Sequence, residues 1–250
     1  MNTKTLYLAW QDKAKSRQWF PVGRLDASVA DSYFKFRYTH GAEQARSRTG
    51  FLPLLSFPQF DRTYESAELF PLFKNRVLSE GRGDFSEYLR HLGLSPEHAD
   101  PIEILSVDGG YRATDSLEVF PRIERHPDGG FRCRFFLHGW RYVNAPAQAR
   151  LDALVPGDKL VASIEINNPA TGLAVQIQTT DYHMIGWTPR YLVNDLIKAI
   201  EQSPSNLQAE VIRVNVAPAP SKQRILIEFR GHWPVGYEPM SGQEFTPLTQ

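Results

Sequence analysis

The chain of 250 residues has very little cysteine, with Cys133 as its single thiol. This excludes a disulfide within the chain and a metal site built from several cysteines. Long apolar runs are also missing: residues 102–107 form one of the longest, far below the roughly 18 residues that a membrane helix requires. The first residues lack the apolar core and cleavage site of a signal peptide. We therefore expect a cytoplasmic protein without a membrane partner.

An excess of charge of either sign is absent as well. The 28 Lys and Arg residues balance 28 Asp and Glu residues, and charged residues make up 22% of the chain. A protein that binds nucleic acid without sequence preference usually carries a basic surface. Any contact with nucleic acid is therefore expected to come from a local cluster of charges.

Motifs of the common enzyme classes are not found. The sequence has no His-Glu-x-x-His metal motif, no phosphate-binding loop of the Walker type and no Gly-x-Ser-x-Gly elbow. We expect a protein without catalytic activity and without a cofactor. Acid–base work by His138 beside Arg141, or by Asp181 near His183, stays open as a minor alternative.

The first 122 residues mix strand and helix signals. Alternating apolar residues predict strands over 6–10 and 33–38, and an apolar face predicts a helix over 66–78. Further helices are expected after Asp84 and after Asp100, since an acidic residue stands at each cap position. We interpret residues 1–122 as one domain of mixed strands and helices.

From residue 123 onward the sequence predicts mostly strands. A Pro-Asp-Gly-Gly turn at 127–130 opens this half, and one helix follows Thr188, the expected cap, and Pro189. Cys133 alternates with arginines and is interpreted as a buried strand residue. We predict an α+β protein whose second domain, 123–250, is a small six-stranded β-barrel-like fold with one capping helix. The six predicted strands cover 131–135, 160–166, 173–177, 184–187, 210–216 and 224–230.

Three short segments of the second half combine aromatic, basic and turn-forming residues. They are residues 137–142 (LHGWRY), 166–172 (INNPATG) and 185–192 (IGWTPRYL). Each can be explained by structure alone. Trp140 and Trp187 can be core aromatics, Asn167-Asn168-Pro169 can form a hairpin turn, and Thr188-Pro189 can start a helix. Taken together, in this order and spacing, they resemble the HIRAN domain family over residues 131–245.

The HIRAN resemblance implies binding of nucleic-acid ends, in particular the 3′ end of single-stranded DNA. An arginine can form paired hydrogen bonds to a phosphate, and a tyrosine offers a stacking face for a base. Family members that hold a 3′ hydroxyl carry Tyr and Asp after the Asn-Pro turn, where this chain has Ala170 and Thr171. The candidate nucleic-acid-binding residues are His138, Trp140, Arg141, Tyr142, Asn167, Asn168, Trp187, Arg190 and Tyr191.

The first half is similar to the N-terminal subdomain of HipA-type toxin kinases. The resemblance rests on Val22-Gly23-Arg24-Leu25, the strand at 33–38, the run 69–75 and the Leu-Ser-Glu-Gly at 78–81. The kinase portion has no counterpart, so the resemblance implies a docking module without kinase activity. Its partner would be an unidentified protein, with a kinase or a DNA-processing enzyme as candidates.

Two functions from different classes follow. The leading hypothesis is a non-catalytic DNA-binding protein that recognises single strands or ends through its second domain and docks a protein partner through its first. The alternative is a regulatory protein-interaction module, similar to a toxin–antitoxin component, with no nucleic-acid binding. Zero net charge and the presence of Ala170 and Thr171 favour this alternative.

Overall fold

The structure, a computed structural model, describes residues 3–14, 16–202 and 204–250. The chain forms two compact units. The first contains residues up to Arg90, Leu94–Arg122 and Met240–Gln250, and the second contains His91–Gly93 and Ile123–Pro239. The sequence-based division at residue 122 did not anticipate two short segments: His91–Gly93 belongs to the second unit, and Met240–Gln250 belongs to the first.

The first unit is built around an antiparallel sheet of five strands in the order β4-β3-β2-β1-β5. Aromatic side chains fill its core, where the rings of Phe36 and Phe57 stack with their centroids 3.9 Å apart. The strands are β1 (Lys4–Gln11), β2 (Trp19–Ser28), β3 (Tyr33–Tyr38), β4 (Tyr64–Ser66) and β5 (Leu117–Pro121). The α-helices that begin within these residues are α1 (His40–Thr49), α2 (Pro71–Lys74), α3 (Phe85–Leu92) and α4 (Pro101–Asp108).

The sequence signals for the helices in this region were partly right. The Asp100 side chain caps α4, because its carboxylate accepts hydrogen bonds from the backbone N–H groups of Ile102 at 2.8 Å and Glu103 at 2.9 Å. The helix predicted over 66–78 was wrong, since only Pro71–Lys74 is helical. Proline fits only the first turn of a helix, so Pro71 marks the start of α2 and the residues before it are free to pair in β4.

The second unit contains an antiparallel sheet of six strands in the order β6-β11-β10-β7-β8-β9. This confirms the predicted α+β class and the six strands. Among the helices of the described residues, none combines the length and apolarity that a membrane crossing requires. The elements are β6 (Gly130–Phe136), α5 (Ala145–Asp152), β7 (Lys159–Asn168), β8 (Gly172–Thr179), β9 (Met184–Trp187), α6 (Val193–Gln202), β10 (Gln208–Val214) and β11 (Ile225–His232).

The sheet of the second unit curls without becoming a closed barrel. Its edge strands are β6 and β9. Among the described residues, one backbone bridge connects the two edges, from His138, two residues after β6, to Trp187 in β9. The two residues exchange backbone hydrogen bonds, with N···O distances of 3.0 Å and 2.9 Å. The bridge brings the end of β6 beside the end of β9.

The expectation of one helix in the second unit was wrong. A second helix, α5, begins after Asn144, whose side chain accepts a hydrogen bond from the Ala147 N–H at 3.0 Å. Thr188 does not cap a helix as predicted. Its hydroxyl is buried without a hydrogen-bond partner among the described residues, and α6 begins five residues later, at Val193.

Cys133 lies in the core of the second unit, as its alternation with arginines indicated. Only 8% of its surface is exposed. Burial, and then the nearby charge of Glu228, raises the pKa of its thiol to about 12. The thiol is therefore protonated at neutral pH and acts as a small apolar side chain.

Candidate nucleic-acid interface

His138 stands at the junction of the two edge strands. Its backbone is fixed by the bridge to Trp187, whereas its imidazole makes no hydrogen bond within the described part of the chain. The residue is open to solvent, yet surrounding protein atoms and then the charges of Lys222 and Arg190 lower its pKa to about 4. At neutral pH the imidazole is therefore uncharged and able to donate one hydrogen bond and accept another.

Arg141 and Trp140 are held against the segment that precedes β11. They lie in a short 3-10 helix, Trp140–Tyr142. The Arg141 Nη1 donates to the Ser221 hydroxyl at 3.0 Å, and the Trp140 indole Nε1 donates to the Ser221 carbonyl at 3.0 Å. Both side chains are thus oriented before any ligand arrives.

Arg190 and Lys222 bring two more positive charges to this end of the sheet. Arg190 begins a 3-10 helix, Arg190–Leu192, just after β9, and its side chain is exposed. Partial burial lowers the pKa of its guanidinium, but a group with so high a normal value keeps its charge. Lys222 lies in the 3-10 helix Ser221–Gln223, before β11. We call His138, Arg141, Arg190 and Lys222 the cationic site.

Glu165 connects two of the sequence-predicted residues. Its Oε2 accepts hydrogen bonds from the Trp187 indole at 2.6 Å and from the Asn168 side-chain amide at 3.0 Å. Desolvation acts to raise the pKa of this carboxyl, but hydrogen bonds from Asn168, Trp187 and Gln176 lower it overall. Glu165 is therefore an ionised anchor that fixes the Trp187 ring beside His138.

The Asn-Pro segment forms the turn between β7 and β8, as the sequence indicated. The Asn168 side-chain Oδ1 accepts hydrogen bonds from the Ala170 N–H at 3.0 Å, the Thr171 N–H at 3.1 Å and the Thr171 hydroxyl at 3.0 Å. The Asn168 side chain is thus engaged in holding its own turn, and the Thr171 hydroxyl is directed at it.

The remaining predicted residues occupy different environments. Tyr142 is 82% exposed at the end of its 3-10 helix, so its ring is open to a stacking partner. Tyr191 is half-buried next to Arg190, and Asn167 is exposed near the end of β7. The structure brings four of the nine predicted residues together. Arg190 lies near His138, and Trp140 and Arg141 both bind Ser221, the neighbour of Lys222.

Sequence reasoning missed Ser221, Lys222 and Glu165. Ser221 and Lys222 follow Pro220 about 80 positions after Arg141, and nothing in their local pattern predicts that the two segments meet. Glu165 occupies a polar position of the alternating strand β7. Its interaction with Trp187 depends on the pairing of Gln176 with Trp187 between β8 and β9.

The alternative acid–base pair, Asp181 and His183, lies in the turn between β8 and β9. Asp181 accepts a hydrogen bond from the Thr179 hydroxyl at 2.6 Å and forms an ion pair with Arg150. Its carboxylate is 3.7 Å from the His183 Nε2. The hydrogen bond from Thr179, followed by the nearby positive charges, lowers the pKa of Asp181. These contacts show that Asp181 stabilises the turn between β8 and β9.

Comparison with known proteins gives two weak structural likenesses. No family model matches the chain, and no curated protein matches it either. A structural-genomics protein from Lactobacillus plantarum is 20% identical over 42% of this chain and 100% of its own, with a TM-score of 0.32. The HIRAN domain of human HLTF is 13% identical over 43% of this chain and 81% of its own, with a TM-score of 0.30. Likenesses of this size do not assign the chain to a family, and the resemblance to HipA-type kinases stays a prediction.

A substitution at Gly139 tests how closely the backbone packs against the Trp187 ring beside the bridge. Gly139 has a φ of +68°, and an added Cβ would lie 2.4 Å from the Trp187 ring. Gly139→Ala is expected to lower the free energy of unfolding by roughly 2–5 kcal/mol, from the left-handed backbone together with overpacking. Chemical denaturation measures this loss.

The matched control is Gly172→Ala. Gly172 has a similar φ of +74° but nothing within 4 Å of the added Cβ. Its loss is expected to be only about 1–2 kcal/mol, from the backbone alone. Equal losses in the two variants would mean that Trp187 is not fixed against the backbone at Gly139.

Proposed function

We propose that the second unit binds a strand of nucleic acid, with single-stranded DNA or a DNA end as its ligand, at the cationic site. The observations that support this most are the charges of Lys222 and Arg190 near the uncharged His138, and the bond from Arg141 to Ser221, the neighbour of Lys222. Three separate segments of the chain contribute these groups. A phosphate is the ligand chemistry that such a group of donors favours.

The groups around the cationic site suit a strand better than a free phosphate ion. Tyr142 presents an exposed ring beside Arg141, and stacking of a base on such a ring is worth roughly 1–3 kcal/mol. The bond from Arg141 to Ser221 uses one amino group and leaves the rest of the guanidinium for a phosphate. Since the whole chain is neutral, attraction would be local, and the affinity for long duplexes low.

Selectivity for a free 3′ hydroxyl is a separate matter. The resemblance to HIRAN domains suggests it, but the turn after β7 offers Ala170 and a Thr171 hydroxyl that donates to Asn168. We therefore propose strand recognition as the primary activity, with end preference as a property to be measured. We propose no catalytic role. Among the described residues, no three His, Cys, Asp or Glu side chains are grouped to hold a metal ion.

For the first unit we propose a docking role toward a protein partner. The segment between α1 and β4 exposes two leucines, Leu52 at 77% and Leu55 at 101%. Large apolar side chains that are exposed next to each other are typical of protein contact surfaces.

Binding of a labelled oligomer of about ten thymidines, followed by fluorescence anisotropy, tests the proposed function. Arg141→Ala and Arg190→Ala are each expected to weaken binding about five- to tenfold and to lower the salt slope by about 0.7, since each removes one phosphate contact. The control is Lys198→Ala, which removes an exposed cation of α6 that is paired with Glu201.

The same assay compares a free 3′ hydroxyl with a 3′ phosphate. Preference for the hydroxyl would extend the function to end recognition, and equal affinity would limit it to strands. If neither the DNA oligomer nor a matching RNA binds at about 50 mM salt, the proposal is wrong and the regulatory, protein-binding alternative gains support.

The affinity is also expected to depend on pH through His138. Desolvation by the surrounding protein atoms, and then the two neighbouring cations, lower its pKa to about 4 in the free protein. A bound phosphate would offset those cations and raise that pKa, so the protonated imidazole would bind more tightly. Lowering the pH from 7.5 to 5.5 should strengthen binding of a thymidine oligomer roughly three- to tenfold. His138→Gln should abolish this gain, and an unchanged pH profile in that variant would place the titrating group elsewhere.

A further inference from the structure

A second group of arginines lies on the face of the strand pair β6 and β11. Its centre is Glu228 in the middle of β11, with a side chain only 1% exposed. The Glu228 Oε2 accepts hydrogen bonds from the Nε of Arg132 at 2.6 Å and of Arg134 at 2.7 Å. The Oε1 accepts one from the Nε of Arg230 at 2.7 Å. We call these four residues the arginine cluster.

Strand register explains why these side chains meet. Arg134 is paired with Glu228, and Arg132 is paired with Arg230, in the antiparallel ladder of β6 and β11. Residues directly opposite each other in such a ladder share one face. Two arginines opposite each other would repel, and Glu228 offsets that repulsion from the neighbouring position.

The arginine cluster has more positive charge than its own stability requires. Glu228 is paired with three guanidinium groups, and Glu210, opposite Glu228 on β10, is paired with Lys159, so two positive charges remain unmatched. Burial acts to raise the pKa of Glu228, but its hydrogen bonds to the three arginines lower it overall, so the carboxylate stays ionised. A single arginine would neutralise it equally well.

The guanidinium groups are also oriented for a further ligand. Arg132 and Arg134 bind Glu228 through Nε, and their terminal amino groups make no hydrogen bond within the described part of the protein. Their side chains are 51% and 29% exposed, and that of Arg230 is 56% exposed. The donors are therefore held in place and open to solvent, which lowers the entropy lost on binding an anion.

We propose that the arginine cluster binds backbone phosphates of the same nucleic-acid strand that the cationic site holds. This inference rests on the proposed function. Arg134 and Arg132 precede His138 by four and six residues along the chain, which corresponds to roughly 13 and 20 Å of extended backbone. A strand of about ten nucleotides, within the site sizes known for small sheet-based binding domains, is long enough to reach both groups.

The test uses the full chain, a labelled oligomer of about twelve thymidines and a double variant, Arg132→Gln with Arg230→Gln. This variant keeps Arg134, so Glu228 retains one partner and the fold keeps its buried ion pair. We expect about a tenfold loss of affinity and a salt slope lower by about 1.4, the value for two phosphate contacts on a single strand. A second double variant, Arg132→Lys with Arg230→Lys, keeps both charges and should keep most of the salt slope. The thermal midpoint of each variant reports its folding.

Arg141→Ala separates the two proposals. If it weakens binding while the glutamine double variant binds like wild type, the arginine cluster is not a phosphate site and the cationic site stands. If the glutamine variant loses affinity and Arg141→Ala does not, the cluster binds phosphate without the cationic site. The proposed function of the cationic site and the inference that both groups hold one strand are then overturned. If the lysine variant loses as much salt slope as the glutamine variant, the loss comes from altered packing, and the inference is overturned. If wild type binds no oligomer, both proposals are overturned.

Discussion

The backbone bridge between His138 and Trp187 is the constraint on which the second unit depends. It joins the two edges of a six-stranded sheet that is otherwise open at this end. The left-handed Gly139 lets the chain pass against the Trp187 ring, and Glu165 holds that ring by accepting a hydrogen bond from its indole N–H. Because the bridge sets where β6 and β9 end, it also sets where the charged side chains that follow each strand are found.

Charge in this protein is organised locally, since the chain as a whole is neutral. In the second unit, single carboxylates orient the groups around them: Glu165 fixes Trp187 and Asn168, and Glu228 fixes three arginines. A buried carboxylate such as Glu228 is costly unless it is fully paired, and the carboxylate of Glu165 is partly buried. Here they are hydrogen-bonded to several donors each, which makes the positions of those donors definite. We regard this preorganisation as the basis of the proposed strand binding.

Local patterns predicted the strands of the second unit, because alternation along a strand reflects burial on one face. They also predicted the turn at Asn168 and the cap at Asp100, since both depend on residues two or three positions away. They failed where a longer-range effect decides the outcome. Lys222 reaches His138 only through the fold. The predicted helix at 66–78 is limited to Pro71–Lys74, since a proline fits only its first turn. The helix after Asn144 was a local signal that was overlooked.

The most direct test of the central claim is a two-dimensional amide NMR titration of the whole chain with a thymidine oligomer. If the cationic site holds the strand, the largest shifts should fall on the amides of residues 138–142 and 190–192 and on the indole N–H of Trp140, which donates to Ser221 in the free protein. These shifts should saturate together with one affinity. A spectrum that stays unchanged at these positions, with or without shifts elsewhere, would contradict the account.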